Sequence, residues 1–148
     1  MARFISYFDP FKKIPTSVKQ NLELACLFLS KTNNTELNYQ YIEGLNGHFK
    51  GMIVFSPNER QRVYSDSNVT IIADGNPLVG DKFVNAGEIA NLYHNYGLEQ
   101  TLKKLDGGHL ELIIDEKNMD VSIVRDRLGL KPVYYVKNND AYIISSNI

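Results

Sequence analysis

Tryptophan is missing from this sequence of 148 residues, and cysteine occurs once. The lone cysteine, Cys26, excludes an intrachain disulfide and suits a reducing compartment, so a cytoplasmic location is expected. No apolar run approaches the roughly 20 residues that cross a bilayer as a helix. The opening Met1-Ala2-Arg3-Phe4-Ile5-Ser6 lacks a signal-peptide pattern. An excess of charge is lacking too. The net charge is −1, which gives no electrostatic reason to expect nucleic acid or an acidic membrane as partner. Internal repeats and low-complexity linkers are absent. What remains is ordinary material for one domain spanning residues 1–148. Hydrophobic residues make up 43%, enough for a core, and nine Tyr with seven Phe favour a β-rich interior.

Taken in order, Arg3 to Phe8 reads as a short strand closed by Asp9-Pro10. A helix follows from about Ser17 to Lys31. Val18, Leu22, Ala25 and Leu29 mark one face, and Leu24, Leu27 and Phe28 widen it, which predicts burial between layers. Cys26 lies within this helix as a buried small hydrophobe, since no base or helix start is near enough to activate it. Thr32 to Gly47 is polar and reads as loop, with a turn of helix around Leu37 to Ile42. Strands are expected at Phe49 to Phe55, weakly at Gln61 to Tyr64, and at Asn68 to Ala73, ending at Asp74-Gly75. Asn76 to Phe83 reads as irregular. Asn85 and Glu88 form a capping box for a helix to Tyr96 with Ile89, Leu92, Tyr93 and Tyr96 buried; Gly97 stops it. A short helix from Leu98 to Leu105 ends at Asp106-Gly107-Gly108. The remainder reads as a β-meander with strands at His109 to Asp115, Asp120 to Arg125, Val133 to Lys137 and Ala141 to Ser145. The pattern is α+β.

Residues with obvious chemistry are scattered. His48, His94 and His109 fall on different elements, none at metal-ligand spacing, so no metal site is expected. Asp74-Gly75-Asn76-Pro77 is too short for a phosphate loop and lacks its Lys-Ser/Thr. No carboxylate pair stands out. Composition and spacing therefore describe a compact domain with no self-evident catalytic set.

The most informative stretch is Val124-Arg125-Asp126-Arg127-Leu128-Gly129-Leu130-Lys131-Pro132-Val133-Tyr134-Tyr135. It reads as a strand that stops, turns at Gly129 and restarts after Pro132, with Arg125, Asp126 and Arg127 as a charged clasp. A structural turn is the expected role. The segment resembles one near the end of the glutaminase domain in asparagine synthetases and related class II glutamine amidotransferases. Leu92 to Gly108 is similar to that family's helix leading into Leu-Asp-Gly. Tyr142 to Asn147 is similar to its closing strand. The likeness is weak from Lys12 to Tyr64 and clear from Leu92 onward.

In that family the residue after the initiator Met is a cysteine, whose thiol attacks the glutamine amide with its own α-amino group as base. The opening Met-Cys-Gly-Ile-X-Gly-X-Phe-Asp aligns without a gap on residues 1–9. The alignment puts Ala2 at the nucleophile position and Arg3 and Ser6 at glycine positions. The family's Asn-Gly-Glu-Ile, which supplies an oxyanion hole, corresponds to Asp74-Gly75. Asp74 loses the amide donor and adds negative charge there. Its Ser-Asp-X-Glu corresponds to Asn85-Ala86-Gly87-Glu88, so Ala86 replaces the aspartate that binds the glutamine amine. No Arg-Gly-Pro-Asp occurs between Thr32 and Gly47, and Lys50 is the weak candidate for gripping the glutamine carboxylate.

The resemblance implies the four-layer αββα sandwich of the N-terminal-nucleophile hydrolases, with a pocket reduced to Ala2, Asp74, Gly75 and Ala86. It implies a non-catalytic glutaminase-like domain with a structural role beside an asparagine-synthetase-like, ATP-dependent ligase domain. That domain, with its ATP and Mg, is expected beyond residue 148 or on a separate chain; this domain itself is expected to hold no cofactor. Beta-lactam synthetase and lasso-peptide cyclases are ligases of this kind, and a homodimer is also open. The alternatives are an amidohydrolase with an unfamiliar nucleophile and a module that binds another ligand in the vacated pocket.

Overall fold

The computed structural model describes residues 2–30 and 37–147, with the backbone alone for residues 29 and 30. The first part of the expected polar loop, 32–36, and the expected helix end at Lys31 lie outside these residues. The chain divides into two compact units, Met1–Glu59 with Val133–Ile148, and Arg60–Pro132.

The first unit contains β1 (Arg3–Phe8), α1 (Val18–Ser30), β2 (Asn38–Gly44), a 3₁₀ turn (Leu45–Gly47) and β3 (Phe49–Phe55). The second contains β4 (Val63–Ser65), β5 (Val69–Gly75), β6 (Leu78–Val79), β7 (Lys82–Phe83), α2 (Ala86–Lys104), β8 (Leu105–Asp106), β9 (His109–Asp115) and β10 (Asp120–Arg125). The chain then returns to the first unit for β11 (Tyr134–Asn138) and β12 (Ala141–Ser145).

In the first unit the sheet order is β11-β12-β1-β3-β2, antiparallel throughout. Ile5 lies opposite both Met52 and Ser145, so β1 is central. One face carries α1: Leu22 and Cys26 pack with Met52 and Val54, joined by Ile5, Tyr7, Val18 and Tyr41. Those helix positions recur at the spacing of one helical stripe. The broad buried face expected of α1 is not found, since Leu24, Leu27 and Phe28 are 56%, 50% and 71% exposed. A helix lying on a sheet covers it with one stripe only, and these three residues fall outside that stripe.

The expected turn of helix at Leu37 to Ile42 is also corrected, because Asn38–Gly44 is strand β2. Its pairing with β3, from Asn38 opposite Phe55 to Gly44 opposite Phe49, supplies the hydrogen bonds that its polar sequence does not advertise. Asn76 to Phe83 is likewise not irregular. Leu78–Val79 and Lys82–Phe83 form a small hairpin about Gly80-Asp81, and β8 pairs on the other side of β6.

In the second unit the main sheet runs β10-β9-β5-β4. Every residue of β5 and β9 is buried, the mark of strands covered on both faces. On one face Val69, Ile71, Ala73 and Ile113 pack with Ala86, Ile89 and Ala90 of α2. The capping box is present as expected: the Glu88 N–H donates to Asn85 Oδ1 (3.0 Å) and the Asn85 N–H to Glu88 Oε2 (2.9 Å). Such a cap contributes about 1 kcal/mol. Gly97 breaks the helix with φ +72°, as expected, and the helical turn resumes after it. Tyr96, expected in the buried stripe, is exposed, since Ala86 and Ala90 occupy the contact with the sheet instead.

The meander expected from His109 to Ser145 is two hairpins in two different sheets. β9 and β10 pair in the second unit, β11 and β12 in the first. The stretch around Arg125 to Pro132 is therefore a crossing between units, where a turn within one sheet was expected.

Candidate functional site

Ala2 precedes β1 directly and is buried. The backbone beside it is fixed by the closing strand. The Phe4 N–H donates to Ser146 Oγ (2.9 Å), and the Phe4 carbonyl accepts from the Ser146 N–H and from Ser145 Oγ (both 3.1 Å). Ser6 lies inside the central strand, fully buried, with its hydroxyl 3.4 Å from the Ile144 carbonyl. Lys50, the candidate for a carboxylate grip, is buried in β3 with its ammonium 3.6 Å from Glu43 Oε1.

In the second unit β5 ends at Asp74-Gly75, next to β9 and the crossing. Asp74 is buried, and Lys131 Nζ lies 3.3 Å from both of its carboxylate oxygens. The negative charge expected at this position is thus paired with an ammonium. Gly75 takes φ +90°, and its carbonyl accepts from Arg62 Nη1. A Cβ at Gly75 would collide with the Gly108 carbonyl and lie 2.9 Å from Lys131 Cε, so only glycine fits. Ala86 is buried at the first turn of α2, where its N–H donates to the Gln61 carbonyl (3.1 Å) and its methyl joins the core under the helix.

The crossing is a clasp, though not of all three charges. The Asp126 carboxylate accepts from the N–H groups of Leu130 (2.8 Å) and Lys131 (3.0 Å). Burial pushes its carboxyl up, but these bonds outweigh burial and hold it below the usual carboxylate range. The Arg125 guanidinium donates to the carbonyls of Lys131 and Gly129 (both 2.6 Å). Gly129 has φ +67°, as a tight turn requires. Arg127 makes no hydrogen bond or ion pair among the described residues and does not take part in the clasp.

One constellation escaped the sequence reading. His109 and Glu111 project from the same face of β9, two residues apart, and His109 Nδ1 lies 2.8 Å from Glu111 Oε2. Both are buried, and among the described residues Glu111 Oε1 has no hydrogen-bond partner. Burial pushes the Glu111 carboxyl up despite the imidazole beside it. Burial lowers His109, but the Glu111 bond and charge outweigh it and raise the imidazole above its ordinary value. The available signal was a His-X-Glu in a strand whose remaining residues before the closing Asp115 are apolar. The other histidines are structural: His48 Nδ1 meets the Asp9 carbonyl and His94 Nε2 meets Asp66 Oδ2, both at 2.8 Å. Cys26 is buried, and burial pushes its thiol up to about 12. Among the described residues no three His, Cys, Asp or Glu are grouped to hold a metal ion, and no helix is long and apolar enough to cross a membrane.

Comparison with known proteins places these features. Residues 85–148 match the family model described as "Glutamine amidotransferase domain". A 60-residue stretch is 33% identical to chicken (Gallus gallus) asparagine synthetase [glutamine-hydrolyzing], covering 40% of this chain and 11% of the synthetase. The fold is similar to that of a glutamine phosphoribosylpyrophosphate amidotransferase from B. subtilis, with a TM-score of 0.60 at 16% identity. That match covers 97% of this chain and 41% of the amidotransferase chain, so the chain spans well under half of either relative. The expected α+β fold of the N-terminal-nucleophile hydrolase type is the fold of this chain. The C-terminal part of the chain, residues 85–148, is thus similar to a glutamine amidotransferase domain, and a stretch of the chain is similar to asparagine synthetase.

Proposed function

We propose that this domain does not hydrolyse glutamine and serves a structural role in an asparagine-synthetase-related, ATP-dependent amide-forming ligase. The observation that carries the reading is Ala2 at the aligned nucleophile position. A methyl group cannot attack an amide, and the chemistry of the class needs a thiol or hydroxyl there. Two further positions support it. Asp74, aligned with the oxyanion-binding asparagine, has no side-chain amide N–H and is engaged by Lys131. Ala86, aligned with the amine-binding aspartate, turns a methyl into the core under α2. The loss is of reactive and binding groups together, while the strands and turns that carry them persist.

In this reading the adenylating chemistry belongs to a synthetase domain that binds ATP and Mg, on the same polypeptide or on another. The present domain supports or shapes it, and the location is the cytoplasm. An electrophilic glutamine analogue of the diazoketone type tests the proposal, because it alkylates whatever nucleophile occupies a working glutamine site. Intact-mass spectrometry is expected to show no adduct. A single adduct that excess glutamine prevents would refute the proposal, whichever residue carried it.

A further inference from the structure

A cleft of about 450 Å³ opens in the second unit between the second half of α2 and the edge strand β10. It shares no residue with the aligned glutaminase positions Ala2, Asp74, Gly75 and Ala86. Its lining carries three fixed cations, Lys103, Arg125 and Arg127, against one acid, Glu99. Glu99 is already paired with Lys103 at 2.7 Å across one helical turn. Arg125 is partly used by the clasp, but Arg127 meets no partner among the described residues. Leu102 and Ile123, exposed beside the buried Leu105 and Val124, supply an apolar wall.

His109 completes the lining, and its ring is fixed from behind. Nδ1 is bonded to the buried Glu111, which leaves Nε2 as the ring nitrogen available to the cleft. The acids near the ring are each engaged: Glu111 by Nδ1, Asp126 by two backbone N–H groups and Asp106 by the Gly107 N–H. The arrangement is a cationic rim, a polar floor held in one orientation, and an apolar wall. A planar guanidinium and an ammonium beside such a floor suit a phosphate group. The volume exceeds what a bare phosphate ion fills.

We propose that this cleft binds a small phosphomonoester, its phosphate held by Arg127, Lys103 and His109 Nε2 and its apolar body against Leu102 and Ile123. Phenyl phosphate is the probe, added to the purified protein while backbone amide NMR shifts are followed. Saturable shifts are expected around Leu102 to Leu105 and Val124 to Arg127, with a Kd of roughly 1 mM or tighter. Arg127→Ala is expected to weaken binding roughly tenfold, and Glu99→Gln to strengthen it. Inorganic phosphate should bind the same residues roughly tenfold more weakly, since it leaves the apolar wall uncovered. His109→Gln should weaken binding as well, and because that residue is buried the two rim variants carry the test if His109→Gln fails to fold. Failure to saturate by about 50 mM, or binding unchanged in both Arg127→Ala and Lys103→Ala, would overturn the proposal.

Discussion

Replacing Asp126 with alanine tests the claim that its carboxylate, rather than the charge of the stretch as a whole, holds the crossing between units. The side chain is buried and accepts two backbone N–H bonds, from Leu130 at 2.8 Å and Lys131 at 3.0 Å. Bonds to a charged acceptor contribute about 1.5–3 kcal/mol each when fully buried. Leu130 is exposed and Lys131 partly so, and water can replace part of each bond. A loss of about 2 kcal/mol in all follows, which for a chain of this length lowers Tm by roughly 4–8 °C. Arg127→Ala, at the next residue of the same stretch, should stay within about 0.5 kcal/mol of the parent. The pH dependence has a fixed sign. Asp126 is held below its unfolded value, near 3.9, so its stabilisation is complete above that value and is lost as pH falls through the folded pKa. The gap in Tm between the parent and Asp126→Ala should be widest at neutral pH and close in strong acid. Thermal melts by circular dichroism measure both. Asp126→Ala melting with the parent at pH 7, or Arg127→Ala losing as much, would refute the reasoning.

Gly75→Ala should cost several times more than Gly80→Ala, although both glycines have positive φ, because a Cβ at Gly75 strikes the Gly108 carbonyl and one at Gly80 meets open space. Urea melts of the two variants give the comparison directly. The Cys26 thiol, buried and pushed up to about 12, should resist a thiol reagent at pH 8 in the folded protein and react at once in denaturant. Ala2→Cys alone should release no ammonia from glutamine, since Asp74 still offers no amide donor and Ala86 no carboxylate for the amine. Asp74→Asn should leave Lys131 without its partner and lower stability by about 1 kcal/mol, with one side of the pair partly exposed.

The strands with strong apolar runs or alternation were legible at their ends. β1, β3, β9, β10 and β12 begin and end where the residues indicate. β2 was not legible, because its Asn, Gln and Glu positions lie on exposed ground and its order comes from pairing with β3. The extent of burial on α1 was overread for a related reason. Hydrophobicity says which residues could be covered, while the single stripe facing the sheet decides which ones are. Sheet membership was not legible either. Nothing local in Tyr134–Asn138 distinguishes a strand pairing back on β10 from one that pairs with β12 in another sheet.

At the candidate site, Ala2, Asp74 and Ala86 were legible only through the aligned landmarks of a family. The pairing of Asp74 with Lys131 joins residues far apart in sequence, and no local pattern encodes it. His109 and Glu111 were visible as letters, but their meaning depends on both faces of β9 being buried.

The central claim is that the domain keeps the glutaminase fold without the reaction. Its most direct measurement is incubation of the purified protein with glutamine, with ammonia and glutamate quantified together. The account predicts that both stay at the level of the buffer control. Equimolar release of the two above that control, abolished by substitutions at Ala2 or Asp74, would contradict it.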